Sequence, residues 1–474
     1  MSNYGENIRG SHIQAAHVSK RIKSFWLLIP FLTLLRQGYA GQAVGAWKRQ
    51  FSAFALFHLL QKSLVILLAV VNGIALDIGN TVFGRCCAVC SNSVDVATPT
   101  KVSRIPSQYR MPPPLRDLGK SHKVRLVYFI PGNREPTKRY QQKITTVMTI
   151  LADVYRQSLQ ARGYETEGLD FYFAGGELVI HLLQGREKAV YYSGRPQYEF
   201  QTTWRRVLPE VEAAYGSARK NLYIIFVESY DEAPSNYEWP GGVALGARYS
   251  ADGGVGMFSS WILRDEFCAS TVQEQIKYLA DESPIAGRTA LGHGRKDSPR
   301  YQFIEDGFGA VLHELGHAFG MPHDKRNERE YIMGNGFRHL RHTYLPALQR
   351  PPIGFSPANA SIVAHSRFLN ANVNLEDNQE PVIKVEAPTR LKATDNEVAL
   401  TLDFQDNGKL GGYVVYAQSQ DSVIGGGKLQ GNSWQQRQTF PVKQLTTGEK
   451  CRLNILLIDC GGNLASQTVI IPID

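Results

Sequence analysis

The chain has 474 residues, of which 43% are hydrophobic and 20% are charged, with 6 cysteines and a formal net charge of +9 at pH 7. This is the composition of a globular protein large enough for two or three hydrophobic cores, which argues against wholesale disorder, a collagen-like chain and a polytopic membrane protein. The cysteines are too few for a fold that depends on disulfides.

The positive charge is concentrated near the N-terminus. Residues 1–80 contain eight Lys or Arg against two Asp or Glu, and the rest of the chain carries only about +3, without a basic block or a recognisable nucleic-acid-binding module. The charge therefore describes one end of the chain rather than a binding face, and we expect no nucleic-acid partner.

Residues 1–90 have the pattern of a targeting or membrane-associated segment. Basic residues at 20, 21 and 23 precede an apolar stretch over 24–35, and small residues follow around Ala40. A basic, an apolar and a small-residue region in this order are typical of a signal peptide.

A second apolar stretch, 51–76, could span a bilayer if Lys62 extends to the interface. The head with its two apolar stretches is a spanning anchor, a late-cleaved signal, upstream sequence from a wrongly chosen start, or a buried helical hairpin. Because Lys48 and Arg49 precede the second stretch, charge asymmetry places the chain after residue 80 outside the cytoplasm. We therefore expect a secreted or membrane-anchored protein.

The next region alternates between strands and helices. Residues 91–121 are polar and proline-rich, which predicts a linker, and ordered structure over 122–375 should form a mixed α/β (α+β) domain. The expected strands are 124–130, 169–173, 177–183, 222–228 and 255–263. The expected helices run from Tyr140 to a stop at Gly163, over 202–215 with a kink or restart at Pro209, over 303–320, and over 358–369 after the cap Ser356-Pro357.

The C-terminal region, 376–474, is predicted to be an all-β sandwich of the Ig/FnIII-like kind. Apolar and polar residues alternate over 398–404, and Gly-Gly and Asn-Gly pairs separate the later apolar runs. Cys451 and Cys460 flank one such run, which as a strand would separate them by about 30 Å, so they should not pair.

One motif contains the candidate metal ligands and the candidate catalytic residue. His313 and His317 are four residues apart on a helix, so both imidazoles project from one face with Glu314 beside them. Gly320 can take a positive φ and end the helix, which lets His323 return as a third ligand. Three neutral imidazoles leave one tetrahedral position open, which is the arrangement of a catalytic zinc ion.

The string HELGHAFGMPH over 313–323 resembles the metzincin signature HExxHxxGxxH at all five fixed positions, and Asp324 after it is similar to the adamalysin and reprolysin pattern. The resemblance implies one catalytic Zn²⁺, a twisted mixed sheet with an active-site helix, and a Met-turn beneath the metal. Met333, ten residues after His323, is the candidate, with a core methionine as the alternative.

Three features depart from the family. These are the helix over 202–215, the absence of a Tyr two residues after Met333, and the absence of a cysteine-switch segment. The subfamily therefore stays open. Cys86, Cys87 and Cys90 could block the metal in a latent enzyme, or flank a membrane or carry lipid.

The resemblance predicts a zinc endopeptidase in which a zinc-activated water attacks the peptide bond and Glu314 is the general base. Asp324 would support the Met-turn or the chain entry, with a solvated turn carboxylate as the alternative. Alternative functions are a surface adhesive protein with a structural zinc domain, which has no need for Glu314, and a zinc hydrolase of non-protein amides.

The predicted partner is a protein or peptide substrate. In metzincins an edge strand above the active-site helix pairs with extended peptide, and the glycine-rich segment 253–260 suits this role because its glycines permit close backbone approach. A bulged core strand is the alternative. The candidate contacts are Gly253, Gly254, Val255, Gly256, Met257 and Phe258.

Overall fold

The computed structural model describes residues 109–193, 200–230, 244–292 and 295–474. The expected targeting segment 1–90, with the apolar stretch 51–76 and its three cysteines, lies outside the described residues, so its targeting role stays a prediction. Among the described residues, no helix combines the length and the apolarity that crossing a membrane requires.

The region before residue 376 contains seven strands and seven α-helices among its described residues. The strands are β1 (Val124–Ile130), β2 (Phe173–Ala174), β3 (Glu177–Leu178), β4 (Ile180–Gln184), β5 (Leu222–Val227), β6 (Ala244–Ser250) and β7 (Gly253–Ser259). The helices are α1 (Tyr140–Gln160), α2 (Ala189–Ser193), α3 (Phe200–Tyr215), α4 (Val272–Ala280), α5 (Arg300–Ala318), α6 (Arg341–Tyr344) and α7 (Pro357–Val363).

The central sheet has the order β4-β1-β5-β7-β6, with β6 alone antiparallel. Because successive side chains of a strand point to opposite faces, Leu126 and Tyr128 enter the core that α1 and α5 close, whereas Val127 and Phe129 enter the core beneath α3. Both faces are therefore covered, which explains the almost unbroken apolar runs of β1 and β5.

The periodic segments were predicted well and the irregular ones less well. β1 has the predicted bounds, and α1 begins at Tyr140 as predicted. The expected strand 169–173 is wrong as a regular strand, since only an isolated bridge at Phe171 joins it to β1. The expected strand 255–263 ends at Ser259, whose side chain caps a 3-10 helix at Ser260–Leu263.

The part of the predicted linker that the structure describes, 109–121, has no helix or strand but is tied to the domain. The backbone N–H of Arg110 donates to the carbonyl of Tyr344 at 3.1 Å. The N–H groups of Leu118 and Lys120 donate to the fully buried carboxylate of Asp170, at 3.0 and 2.8 Å. This stretch is therefore part of the folded unit.

The C-terminal region forms two facing sheets. Its strands are β8 (Val382–Glu386), β9 (Glu397–Gln405), β10 (Leu410–Ala417), β11 (Ser422–Lys428), β12 (Ser433–Pro441), β13 (Lys450–Asp459) and β14 (Leu464–Pro472). One sheet has the order β11-β10-β13-β14 and the other β12-β9-β8. Leucines of β9 and β13 meet in one core between them, and Cys451 and Cys460 are both free thiols.

Strand β10 of the four-stranded sheet is buried on both faces because the outer face of the sheet packs on α7 there. Ala358 and Ile362 of α7 form an apolar cluster with Val414, Val423 and Ile458 of the sheet. The backbone comes so close that a Cβ at Gly412 would lie 2.4 Å from the Ser361 side chain. The sandwich is thus packed against the preceding domain rather than tethered to it.

This close approach gives a stability prediction. Gly412→Ala should lower the free energy of unfolding by about 1–3 kcal/mol, because the added methyl group overpacks the contact with α7. Gly427→Ala, in the neighbouring strand, is the matched control, since a Cβ there meets nothing within 4 Å. Urea unfolding of both variants tests this, and equal midpoints would mean that the sheet and α7 are packed too loosely for the methyl group to matter.

Candidate metal centre

Helix α5 brings the first two histidines together. His313 and His317 are one turn apart near its C-terminal end, and their ring centroids are 4.9 Å apart. His313 is only 8% exposed, and Glu314 between them is partly buried. The four-residue spacing places both imidazoles on the face of the helix that the following loop covers.

The loop after the helix brings in the third histidine. Gly320 takes a φ of +82°, a conformation that other residues adopt only with strain, and the chain reverses there. The His323 ring then lies 5.2 Å from that of His313 and 4.7 Å from that of His317. The ligand nitrogens of the three histidines all lie within 4.8 Å of one another.

Hydrogen bonds orient two of the rings through backbone carbonyls. The Nδ1 of His313 lies 2.8 Å from the carbonyl oxygen of Ile332, and the Nδ1 of His317 lies 2.7 Å from that of Met321. A carbonyl oxygen only accepts, so both Nδ1 atoms carry the proton. In the neutral rings each Nε2 then has a lone pair that can bind a metal ion.

His323 is oriented by a carboxylate from the sandwich. Its Nδ1 lies 2.9 and 3.0 Å from the two carboxylate oxygens of Asp421, which precedes β11. Lys325 Nζ donates to the same carboxylate at 2.8 Å, and the Tyr416 hydroxyl donates to it as well. Although burial favours the neutral acid, these donors hold the pKa of Asp421 below its usual value, so it is an ionised acceptor.

The chemistry of the donor set fits a metal ion. The Nε2 atoms of His317 and His323 are 3.1 Å apart. Two nitrogens that share one tetrahedral metal ion of zinc's size would lie about 3.3 Å apart, so this spacing fits a cation held by both residues. No thiol is needed, and His313, His317 and His323 are the residues that would bind the ion.

The electrostatics favour ligand-competent imidazoles. Burial, reinforced by the neighbouring rings, lowers the pKa of His313 to about 3 and that of His317 to about 4. Burial also raises the pKa of Glu314 above its ordinary value, which makes its carboxylate a stronger base than one in water. His313 and His317 are thus neutral, and able to coordinate, well below neutral pH.

Met333 lies directly beneath the histidine pair. Its side chain is 1% exposed, and its sulfur is so close to α5 that a Cβ at Gly316 would lie 2.3 Å from it. The carbonyl oxygen of Met333 accepts from the N–H of Asp324 at 2.9 Å. Gly316 was missed by the sequence analysis, although a glycine inside a helix between two metal-ligand candidates was the available signal.

Asp324 is fully buried, so the alternative of a solvated turn carboxylate is wrong. Its carboxylate accepts from the Arg326 guanidinium at 2.9 and 2.6 Å. Its backbone N–H pairs with Met333. The residue thus joins the loop that bears His323 to the segment beneath the helix.

The expectation that 253–260 forms a sheet edge is wrong. Gly253, Gly254, Val255, Gly256, Met257 and Phe258 all lie in β7, which is buried between β5 and β6. The glycines serve internal packing, because a Cβ at Gly253 would lie 2.4 Å from the carbonyl oxygen of Ala218 and one at Gly254 3.0 Å from that of Ala318. The edge on this side of the sheet is β6, which packs against α5.

Comparisons with known proteins agree with this geometry. Residues 204–350, which include all three histidines, match the model of the family described as "Putative peptidase family" (Metallopep). No curated protein is significantly similar to the chain in sequence. The match supports a metallopeptidase.

The fold resembles that of a solved bacterial protein. The crystal structure of OgpA from Akkermansia muciniphila aligns with a TM-score of 0.51 at 15% identity, over 76% of this chain and 95% of OgpA. Catalytically inactive OgpA in complex with an O-glycopeptide substrate aligns with a TM-score of 0.50 at 15% identity, over 76% and 94%. At this identity the similarity shows the fold: a mixed α/β region followed by β-sheets.

The lowered histidine pKa values predict a pH effect on the metal-free protein. The unfolded chain protonates its histidines near pH 6.5, whereas His313 and His317 resist protonation until about pH 3 and 4, so the unfolded state binds more protons in this window. Stability should therefore fall as the pH drops from about 6.5 to 4, by up to about 1.4 kcal/mol per pH unit for each histidine.

Urea unfolding in the presence of a chelator, at pH 7, 6 and 5, measures this effect. His313→Gln isolates one contribution, since it should gain stability relative to the wild type as the pH falls. Parallel stability curves for the two proteins would contradict the prediction.

Proposed function

We propose that residues 122–375 form a zinc-dependent endopeptidase of the metzincin type. The observation that carries the proposal is that the ligand nitrogens of His313, His317 and His323 lie within 4.8 Å of one another, beside Glu314. The peptidase-family match over the same segment supports it.

The donor set favours zinc over the harder cations, because it consists of three imidazole nitrogens without a carboxylate ligand. When bound, a zinc ion supplies two effects at this position: it lowers the pKa of water to about 7 and polarises the scissile carbonyl. The protein would hold the three imidazole rings in place and leave a fourth coordination position accessible to water and substrate.

Glu314 is the proposed general base. It follows His313 directly on α5, is not needed as a ligand, and has a pKa raised by burial. A carboxylate of raised basicity accepts a proton from the attacking water and can return it to the departing amide nitrogen. A site with only a structural role would not need such a group.

Met333 and Asp324 are proposed to support the site. Met333 would form the Met-turn, with its sulfur against Gly316, on the turn of α5 between His313 and His317. Asp324 would fix this arrangement through its N–H bond to Met333. Both residues act by positioning the histidines and touch no substrate in this proposal.

The proposed substrate is an extended peptide that adds to β6. This strand is the antiparallel edge of the sheet, and it packs against α5, which bears the metal site. An exposed edge offers unpaired backbone N–H and C=O groups, which bind a peptide largely independently of its side chains. We therefore assign to β6 the peptide-binding role that the sequence suggested for 253–260.

Export or membrane anchoring through 1–90, with the peptidase outside the cytoplasm, remains part of the proposal. It rests on the sequence pattern of the head and on the basic residues before 51–76.

Glu314→Gln should abolish hydrolysis while leaving zinc in place. The amide cannot accept a proton from water, so the rate of peptide cleavage should fall by about 10²–10⁴-fold. Because Glu314 is not a ligand, elemental analysis should still find one zinc per chain. Full hydrolysis by a zinc-loaded Glu314→Gln protein would show that another group is the base.

The substrate class is tested by digestion of a peptide library that includes O-glycosylated peptides and their unglycosylated counterparts, since an OgpA complex contains an O-glycopeptide. Internal cleavage that stops on chelation is the expected result. Binding without cleavage, unaffected by Glu314→Ala, would favour the adhesive alternative. Hydrolysis confined to non-peptide amides would favour the other alternative, a zinc hydrolase of non-protein amides.

A further inference from the structure

We propose that Asp421, which belongs to the C-terminal sandwich, is a positioning residue for the metal ligand His323. The inference rests on the proposed function, since it takes His323 to be a zinc ligand. It makes the sandwich part of the metal site instead of an accessory module.

The geometry of the pair defines what Asp421 does. Both carboxylate oxygens lie within 3.0 Å of the Nδ1 of His323, and this nitrogen is on the opposite side of the ring from the Nε2 that faces His317. Because a carboxylate only accepts, it fixes a proton on Nδ1, and the neutral ring then has its lone pair on Nε2. Asp421 therefore selects both the tautomer and the orientation of the ring.

The carboxylate is itself fixed by its surroundings. Two residues donate to it: Lys325, in the loop that bears His323, and Tyr416, in strand β10 of the sandwich. The backbone of Asp421 adopts a φ of +46°, a left-handed conformation that directs the side chain at the end of a 3-10 turn. Asp421 is thus held in one position rather than moving freely on the surface.

The adjacent backbone joins the two regions at the same point. The N–H of Val423 donates to the carbonyl oxygen of His323 at 2.8 Å, and the N–H of Lys325 donates to the Ser422 hydroxyl at 2.8 Å. These two bonds lie next to the Asp421–His323 contact, one donated by β11 and the other by the loop that bears His323. The start of β11 is therefore joined by hydrogen bonds to the loop that bears His323.

His323 differs from the other two histidines in its need for such a partner. His313 is 8% exposed and is oriented by a carbonyl of its own domain, whereas the His323 side chain is 34% exposed. A hydrogen bond from a ligand histidine to a carboxylate orients the ring and raises its basicity, and loss of such a partner typically costs 10–100-fold in metal affinity.

Zinc affinity of the full-length protein tests the inference. Asp421→Asn keeps an uncharged acceptor and should weaken zinc binding about 10-fold, and Asp421→Gly, which removes the acceptor, should weaken it towards 100-fold. Glycine adopts a φ of +46° without strain, so this second variant should fold even if the first were impaired. Competition with a chromophoric chelator measures the affinity.

Two further measurements separate positioning from a general structural role. The urea midpoint of metal-free Asp421→Asn, which keeps an acceptor for Lys325 and Tyr416, should stay close to that of the wild type. The visible spectrum of the Co²⁺-substituted variants should change, because the His323 ring is no longer fixed. Asp403→Asn is the matched control: this carboxylate lies in β9, on the other sheet, beside Lys384. It should leave affinity and spectrum unchanged.

The outcomes distinguish the two proposals. If the wild type binds no zinc, the proposed function fails and the inference falls with it. If the wild type binds zinc and both Asp421 variants bind it equally tightly, the metal site stands and the positioning role of Asp421 is overturned.

Discussion

The candidate metal centre depends on one kind of interaction, the hydrogen bond from the Nδ1 of each histidine to a fixed acceptor. A neutral imidazole can place its proton on either nitrogen and rotate its ring, so three histidines at suitable spacing do not by themselves make a site. Ile332, Met321 and Asp421 remove that freedom. The low pKa values of His313 and His317 result from burial and from the neighbouring imidazoles, and the carbonyl acceptors, which raise the pKa, offset this only in part.

The hydrogen bond between His323 and Asp421 also depends on the contact between the sandwich and the preceding domain. Asp421 can accept from His323 only while the four-stranded sheet is packed on α7, where Ile362 meets Val414 and Val423. Helix α7 also contacts the loop that bears His323, since the Asn359 side chain donates to the carbonyl oxygen of Pro322 at 3.1 Å. Packing of the sandwich and geometry of the metal site are therefore coupled through a few contacts at one end of α7.

The sequence was informative where structure is local. The four-residue spacing of His313 and His317 and the apolar period of α1 depend only on helix geometry, and Gly320 takes the positive φ that its position required. Sheet order is not local, so the glycines of β7 suggested an edge although they serve internal packing. Asp421 is 98 residues from His323, and an aspartate in a polar turn carries no signal that distinguishes it from any other.

The use of a carboxylate at the third histidine has a physical rationale. His313 and His317 are fixed by the helix and by acceptors close in sequence, whereas His323 stands on a loop, with a third of its side chain exposed to water that would compete for its proton. An ionised acceptor forms a stronger hydrogen bond than a carbonyl does, and it retains that strength at a partly solvated position. Because this acceptor comes from the sandwich, a small displacement of the sheet would free the His323 ring before any helix or strand is lost. We therefore expect zinc affinity to respond to the packing of the sandwich more sharply than global stability does.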